Sequence, residues 1–199
     1  MWTNVADQGN VVTKMEVSGR MHTVVVGGTG MLSGVTTWLA EHGHTVSVIS
    51  RRPGRFSVTS DCHGTFHSIT VDYRSSSELR QCVAGAMAQY GPIELAVFWI
   101  HSDAPDAFRI IADEISTHAE NPWRLFHVRG SSAHLNPDPP PVPPACLYRQ
   151  VVLGFVLEPD MTSRWLTHQE ISDGVIQAIQ NDWEHSVVGT LEPWEGRPR

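Results

Sequence analysis

Apolar residues along this chain occur in short β-branched runs that alternate with segments of helical spacing. The runs predict strands over residues 23–27, 44–50, 66–73, 93–100, 124–130, 149–157 and 186–191. The segments between them predict helices over residues 31–43, 75–88, 104–118 and 167–180. Several runs are apolar almost throughout, which is typical of strands buried on both faces. The alternation predicts an α/β fold, a doubly wound parallel sheet in three layers.

The folded part of the chain is predicted to begin at residue 21. Residues 1–20 are polar, follow neither period, and end directly before the first predicted strand. We expect them to form a flexible N-terminal tail, or to result from the choice of an upstream start codon. Residues 21–199 have the length of one domain.

A glycine loop separates the first predicted strand from the first predicted helix. Glycine lets the backbone approach a pyrophosphate, and the helix that follows points its N–H groups and positive dipole end at the anion. The third glycine position of the G-x-G-x-x-G pattern is Ser33, with Gly34 beside it, and a small residue there still permits close helix–strand packing. The pattern predicts a dinucleotide site formed by Gly27, Gly28, Thr29, Gly30, Met31 and Leu32.

The second predicted strand ends in Ser50, Arg51 and Arg52. At this place, roughly 20 residues past the loop, a site for NAD carries an acidic residue that binds the ribose 2′-hydroxyl. Two guanidinium groups and a hydroxyl suit a 2′-phosphate instead, because arginine donates charge-assisted and often bidentate hydrogen bonds to phosphate. We therefore expect NADP(H) as the cofactor. The alternative is a solvated basic turn.

Further candidate residues follow the other strands, whose carboxyl ends share one edge of a parallel sheet. Asp72 is expected at the adenine edge, or as a turn residue. Trp99 and Ile100 end the fourth strand and are expected beside the cofactor, and Trp165 falls near the same edge as an apolar wall.

Two residues at this edge are candidates for catalysis. His101 is a candidate proton donor, because imidazole titrates near neutral pH. The hydroxyl of Ser131, after the fifth strand, is a candidate to bind a carbonyl oxygen. The alternatives are a histidine bonded to backbone or solvent and a simple turn serine.

Taken together, the glycine loop, Ser50-Arg51-Arg52, Asp72 and the serine residues after the fifth strand resemble the short-chain dehydrogenase/reductase superfamily. The resemblance implies a Rossmann fold that binds NAD(P) and an oxidoreductase activity. It also implies a catalytic set, since in the catalytic members this serine works with a tyrosine and a lysine on a long helix before the sixth strand.

The chain departs from that pattern between the fifth and sixth predicted strands. Residues 136–144 include six prolines, and proline excludes the long helix because it lacks an N–H and clashes with the preceding turn. We expect an extended polyproline segment there. Tyr148 stands at the amino end of the sixth strand, opposite the cofactor edge, and the only lysine is Lys14. The usual tyrosine–lysine pair is therefore missing from the predicted site.

Two functions fit these observations. The first is an atypical NADP(H)-dependent oxidoreductase that transfers hydride to a small organic acceptor, and an acceptor that needs no protein acid suits it best. The second is a non-catalytic NADP(H)-binding sensor or scaffold, which the missing pair favours. The polar groups at the sheet edge lead us to prefer the first. The substrate itself is unknown, because a fold does not identify one.

Composition excludes other classes of partner. The formal net charge of −7 argues against nucleic acid and against an anionic membrane surface, and no apolar run approaches the ~18 residues of a membrane span. Three widely spaced cysteines suit reduced thiols in the cytoplasm better than disulfides, and they lack the paired spacing of a metal site. A homodimer is left open.

Overall fold

The computed structural model describes residues 20–51, 64–100, 104, 106–136, 138–160 and 162–198. In chain order its strands are β1 (His22–Val26), β2 (Thr45–Ser50), β3 (Thr65–Thr70), β4 (Ile93–Phe98), β5 (Trp123–Arg129), β6 (Cys146–Leu153), β7 (Phe155–Leu157), β8 (Ser163–Trp165) and β9 (His185–Val188). The α-helices are α1 (Ser33–Glu41), α2 (Ser76–Tyr90), α3 (Ala107–His118) and α4 (His168–Asn181).

The main sheet is parallel throughout and has the order β3-β2-β1-β4-β5-β6-β9. Val26, the last residue of β1, lies opposite Ile49 of β2 and Phe98 of β4. The chain crosses from one side of β1 to the other after β3. A crevice therefore opens beyond the carboxyl ends of β1 and β4, where open α/β sheets bind ligands. The predicted doubly wound α/β fold is confirmed.

Each face of the sheet has its own hydrophobic core, because successive residues of a strand point to opposite faces. Val24 and Val26 of β1 pack on the side of α2 and α3. Val25 packs on the other side, with Leu39 of α1 and Val175 of α4. Burial on both faces explains why the central strands are apolar at nearly every position.

The sixth strand ends earlier than the sequence pattern predicts. A Cβ on Gly154 would collide with the carbonyl oxygen of Thr190, so only glycine fits where the chain leaves the sheet. The next residues form β7, which pairs antiparallel with β8 as a separate hairpin. The single strand predicted over 149–157 is therefore wrong beyond Leu153. The apolar run continues from β6 into β7, so the hydrophobic pattern does not indicate where β6 ends.

The connection from β5 to β6 contains a short 3-10 helix, Ser131–Leu135, and no α-helix among its described residues. Arg129 holds the following segment by donating to the carbonyl oxygens of Asn136 and Asp138, at 3.0 and 3.2 Å. Val142 and Ala145 pack against the core on the side of α3. The prediction that the prolines exclude a long helix here is confirmed.

No helix in the described part of the chain is both long and apolar enough to cross a lipid bilayer.

Candidate functional site

The turn after β1 packs closely against the ends of β2 and β4. Gly27 has a φ of +81°, and its N–H donates to the carbonyl oxygen of Ile49 at 3.2 Å. A Cβ at this position would lie 2.8 Å from the backbone oxygen of Trp99, which follows β4. Both the backbone conformation and the contact require glycine. The loop is thereby fixed at the crevice of the sheet.

Two further glycines allow close packing of helices. A Cβ on Gly28 would lie 2.7 Å from Oγ1 of Thr36, and this hydroxyl donates to the carbonyl oxygen of Gly28 at 3.2 Å. Gly28 therefore lets α1 approach β1. In the G-x-G-x-x-G pattern this packing role belongs to the third glycine position, which is Ser33 here. Gly34 instead faces α4, where a Cβ would lie 2.8 Å from the side chain of Ser172.

Gly30 and the start of α1 leave room for an anion. A Cβ on Gly30 would have no atom of the described residues within 4 Å, so the described part of the chain leaves space beside the loop at this point. No side chain of the described residues caps the first turn of α1, and this turn carries no acidic residue. Uncapped N–H groups and the positive end of the helix dipole attract a phosphate.

Two arginines lie at the other end of the same groove. The guanidinium carbon of Arg51, directly after β2, is 5.3 Å from the ring centroid of Tyr73. Arg74 donates to both carboxylate oxygens of Asp72, from Nε at 3.1 Å and from Nη2 at 2.9 Å. These hydrogen bonds, together with the charges of Arg74 and Arg51, hold the pKa of Asp72 below its ordinary value.

Arg74 is a site residue that the sequence reasoning missed. Its only signal is its position two residues after Asp72, at the same edge of the sheet. Because Arg74 compensates the Asp72 carboxylate, this end of the groove can hold a phosphate despite the acidic residue.

The loop, the strand ends and the arginines line one groove of about 730 Å³, within the size range of ligand pockets. Tyr73, Arg74 and His168, the first residue of α4, belong to its lining. The structure also brings together eight of the residues predicted for the cofactor, namely Gly27, Thr29, Gly30, Met31, Ser50, Arg51, Asp72 and Trp99.

The remaining predicted residues lie elsewhere or are not described. Gly28 and Leu32 are buried beneath the loop, where they support it. Ile100 packs against the core on the side of α2 and α3 and is not among the described residues that line the groove. Arg52 and His101 lie outside the described residues.

A second cleft, of about 350 Å³, adjoins the groove at Met31 and Trp99. Ser131 lies in it, together with Ser132, and so does Trp165 of the β7–β8 hairpin. Its other lining residues are glycine or aliphatic: Gly130, Leu153, Gly154, Leu166 and Ile171. None of these described lining residues carries a side chain that titrates near neutral pH.

Tyr148 lies away from both the groove and the cleft, in the first half of β6. Its hydroxyl is 3.0 Å from Nδ1 of His127 and donates to Oε1 of Gln150 at 3.4 Å, on the sheet face that looks toward α3. Burial lowers the pKa of His127 to about 3 and raises that of Tyr148 to about 12. Neither group is suited to proton transfer near neutral pH. The position of Tyr148 agrees with the sequence prediction.

Comparison with known proteins shows the fold. No protein-family model and no curated protein sequence matches the chain. A short-chain dehydrogenase/reductase from Serratia marcescens is 15% identical with a TM-score of 0.65, over 86% of this chain and 98% of its own. An NADH-dependent reductase, A1-R′, solved in complex with NAD, is 11% identical with a TM-score of 0.63, over 85% and 94%.

A third solved structure is a 3-oxoacyl-[acyl-carrier protein] reductase from Brucella melitensis. It is 12% identical with a TM-score of 0.61, over 84% of this chain and 94% of its own. The chain therefore has the Rossmann fold of the short-chain dehydrogenase/reductases, and it resembles them over nearly their whole length.

Proposed function

We propose that the protein binds NADP(H) in the groove and acts as an atypical oxidoreductase that transfers hydride between this cofactor and a small organic acceptor. The observation that carries the proposal is the junction of groove and cleft at Met31 and Trp99. An elongated ligand lying along the groove would reach the cleft with one end. Proteins of the same fold include reductases, one of them solved with NAD.

The residues of the groove fit the parts of this cofactor. The open loop at Gly30 and the uncapped start of α1 suit a diphosphate. Arg51 and Arg74 suit the 2′-phosphate, which arginine binds more strongly than a hydroxyl. When bound, the nicotinamide supplies or accepts the hydride. In the cleft, the hydroxyl of Ser131 can donate a hydrogen bond to the acceptor.

Calorimetric titration with NADPH and NADH tests the proposal. We expect Arg51→Gln to weaken NADPH binding about tenfold and to leave NADH binding unchanged, because only NADPH loses a charge-assisted hydrogen bond. Arg109→Gln is the matched control, since it removes an equally charged, exposed side chain from α3. An equal effect of Arg51→Gln on both nucleotides contradicts the 2′-phosphate assignment. Absence of binding refutes the proposed function.

A second function is a non-catalytic NADP(H)-binding sensor or scaffold. It is favoured by the lack of a titratable side chain among the described residues of the cleft. A sensor would bind NADPH tightly and cause no loss of absorbance at about 340 nm, the band of the reduced nicotinamide, with any acceptor offered. Turnover with even one acceptor would favour the oxidoreductase over the sensor or scaffold.

A further inference from the structure

The residues that line the cleft are mostly apolar. Indole rings of Trp99 and Trp165 contribute to this lining, and Gly130 contributes only backbone. Among the described residues, a Cβ on Gly130 would meet nothing closer than Cη2 of Trp99, at 3.9 Å, so a side chain at this position would lie beside the indole. Aromatic side chains favour the offset stacking of planar rings. The aromatic and apolar lining of the cleft therefore suits a flat, conjugated ligand.

Among its described lining residues, the cleft offers hydroxyl groups and no acid. Ser131 and Ser132 are its polar side chains, and none of its described lining residues is charged. A simple ketone that takes up hydride becomes an alkoxide, so its reduction needs a proton donor beside the oxygen. A conjugated ring instead spreads the added charge over many atoms and can take its proton from water.

Trp165 is held at the cleft by the β7–β8 hairpin, which is fastened to α4. Arg164 donates to Oε1 of Glu158 at 2.9 Å and, through two nitrogens, to both carboxylate oxygens of Glu170 at 2.9 Å each. Glu170 also forms a capping box with Thr167 at the start of α4. Trp165 is nevertheless 48% exposed as a residue, and it belongs to the lining of the cleft.

We propose that this cleft binds planar, conjugated two-electron acceptors, the chemistry shared by quinones and the isoalloxazine ring of flavins, and that Trp165 determines this specificity. The assignment rests on the proposed function, which provides NADPH as the reductant. The ring gains one hydride from NADPH and one proton from water, leaving NADP⁺ and the hydroquinone or dihydroflavin. Because no cation lines the described cleft, neutral acceptors bind better than phosphorylated ones.

Binding without turnover tests the assignment. Riboflavin or menadione is added to the protein alone and to the protein saturated with NADP⁺, and quenching of flavin or tryptophan fluorescence is followed. We expect Trp165→Leu to weaken the binding of both probes about tenfold, through the loss of stacking and of indole contact area. NADP⁺ affinity should stay within about twofold. FMN should bind more weakly than riboflavin.

Trp183→Leu is the matched control. It removes an indole that is 44% exposed and lines a different cleft, between α4 and β9. It should leave the binding of both probes unchanged. Gly130→Val gives a second, independent test, because its side chain would lie in the cleft beside the Trp99 indole, and the backbone of Gly130 has an ordinary extended conformation. We expect it to abolish probe binding without lowering the thermal unfolding temperature.

The outcomes separate this assignment from the proposed function. If NADP⁺ binds and neither probe does, or if Trp165→Leu and Trp183→Leu behave alike, the acceptor class is wrong and the cofactor proposal stands. If NADP⁺ fails to bind while the probes bind the protein alone through Trp165, the cleft assignment stands and the proposed function fails. If nothing binds, both are wrong. Binding of one probe alone supports the assignment and identifies the ring.

Discussion

Arg74 and Asp72 form a two-point ion pair at the end of the groove that follows β2 and β3, with Nε and Nη2 of the arginine on separate carboxylate oxygens. In an NAD site the acidic residue that binds the ribose 2′-hydroxyl lies at the end of β2, where this chain has Ser50 and Arg51. The Asp72 carboxylate instead follows β3 and lines the same groove. Here its charge is compensated by Arg74, and Arg51 lies across the ring of Tyr73 on the other side. The balance of charge at this end of the groove thus depends on Arg74.

We expect Arg74→Gln to weaken NADPH binding about tenfold, because it removes a phosphate-binding cation and leaves Asp72 uncompensated. NADH binding should change little. Adding Asp72→Asn should recover part of the lost NADPH affinity, since the repulsive charge is then gone. Calorimetry at low and high salt measures these effects. A double variant that binds NADPH as weakly as Arg74→Gln would show that the Asp72 charge does not contribute.

Gly27 and Gly30 should respond differently to the same substitution. Gly27→Ala forces a positive φ on alanine and a Cβ 2.8 Å from the backbone oxygen of Trp99, so we expect the free energy of unfolding to fall by about 2 kcal/mol or more. The Cβ of Gly30→Ala meets no atom of the described residues within 4 Å, so the substitution should leave stability unchanged while weakening NADPH binding.

Urea unfolding and calorimetry on the two glycine variants make this comparison. Equal stability losses in Gly27→Ala and Gly30→Ala would contradict the assigned roles. So would an unchanged NADPH affinity in Gly30→Ala.

Protonation of His127 should destabilise the protein at acidic pH. Burial, with a smaller contribution from the charge of Arg129, lowers its pKa from the ordinary value of 6.5 to about 3 in the folded protein. The unfolded chain therefore binds the proton first. The contribution to stability is complete above pH 6.5 and is lost as the pH falls from there toward 3.

Between pH 7.5 and 5.5, we expect His127 to account for about 1 kcal/mol of the decrease in the free energy of unfolding. His127→Gln should show a correspondingly smaller decrease in urea unfolding at the two pH values. The same decrease in wild type and His127→Gln would rule out His127 as the source.

Tyr148→Phe should lower stability without affecting the nucleotide. The variant loses the contact with Nδ1 of His127 and the hydrogen bond to Gln150, so we expect the free energy of unfolding to fall by about 1 kcal/mol. NADPH affinity and any turnover should remain within about twofold of wild type. A tenfold loss of turnover with intact folding would mean that this tyrosine reaches the reacting atoms after all.

The local pattern of apolar residues predicted most strands of the main sheet. Strands β1 to β5 lie within a few residues of their predicted ranges, because strands buried on both faces require apolar residues at nearly every position. The sixth strand was harder to delimit. It ends before Gly154, where the backbone packs against the carbonyl oxygen of Thr190. The apolar run itself contains no local feature that predicts this contact.

By itself, the sequence determined the order of the main-sheet strands and of the α-helices, the glycine loop and the loss of the long helix before β6, since backbone hydrogen bonding and proline sterics act over a few neighbouring residues. Only the tertiary structure decided which residues share a site. Gly27 meets Trp99, Gly34 meets Ser172, and Trp165 meets Ser131 in one cleft. These partners are far apart along the chain, and the packing of helices and hairpin on a common sheet brings them together.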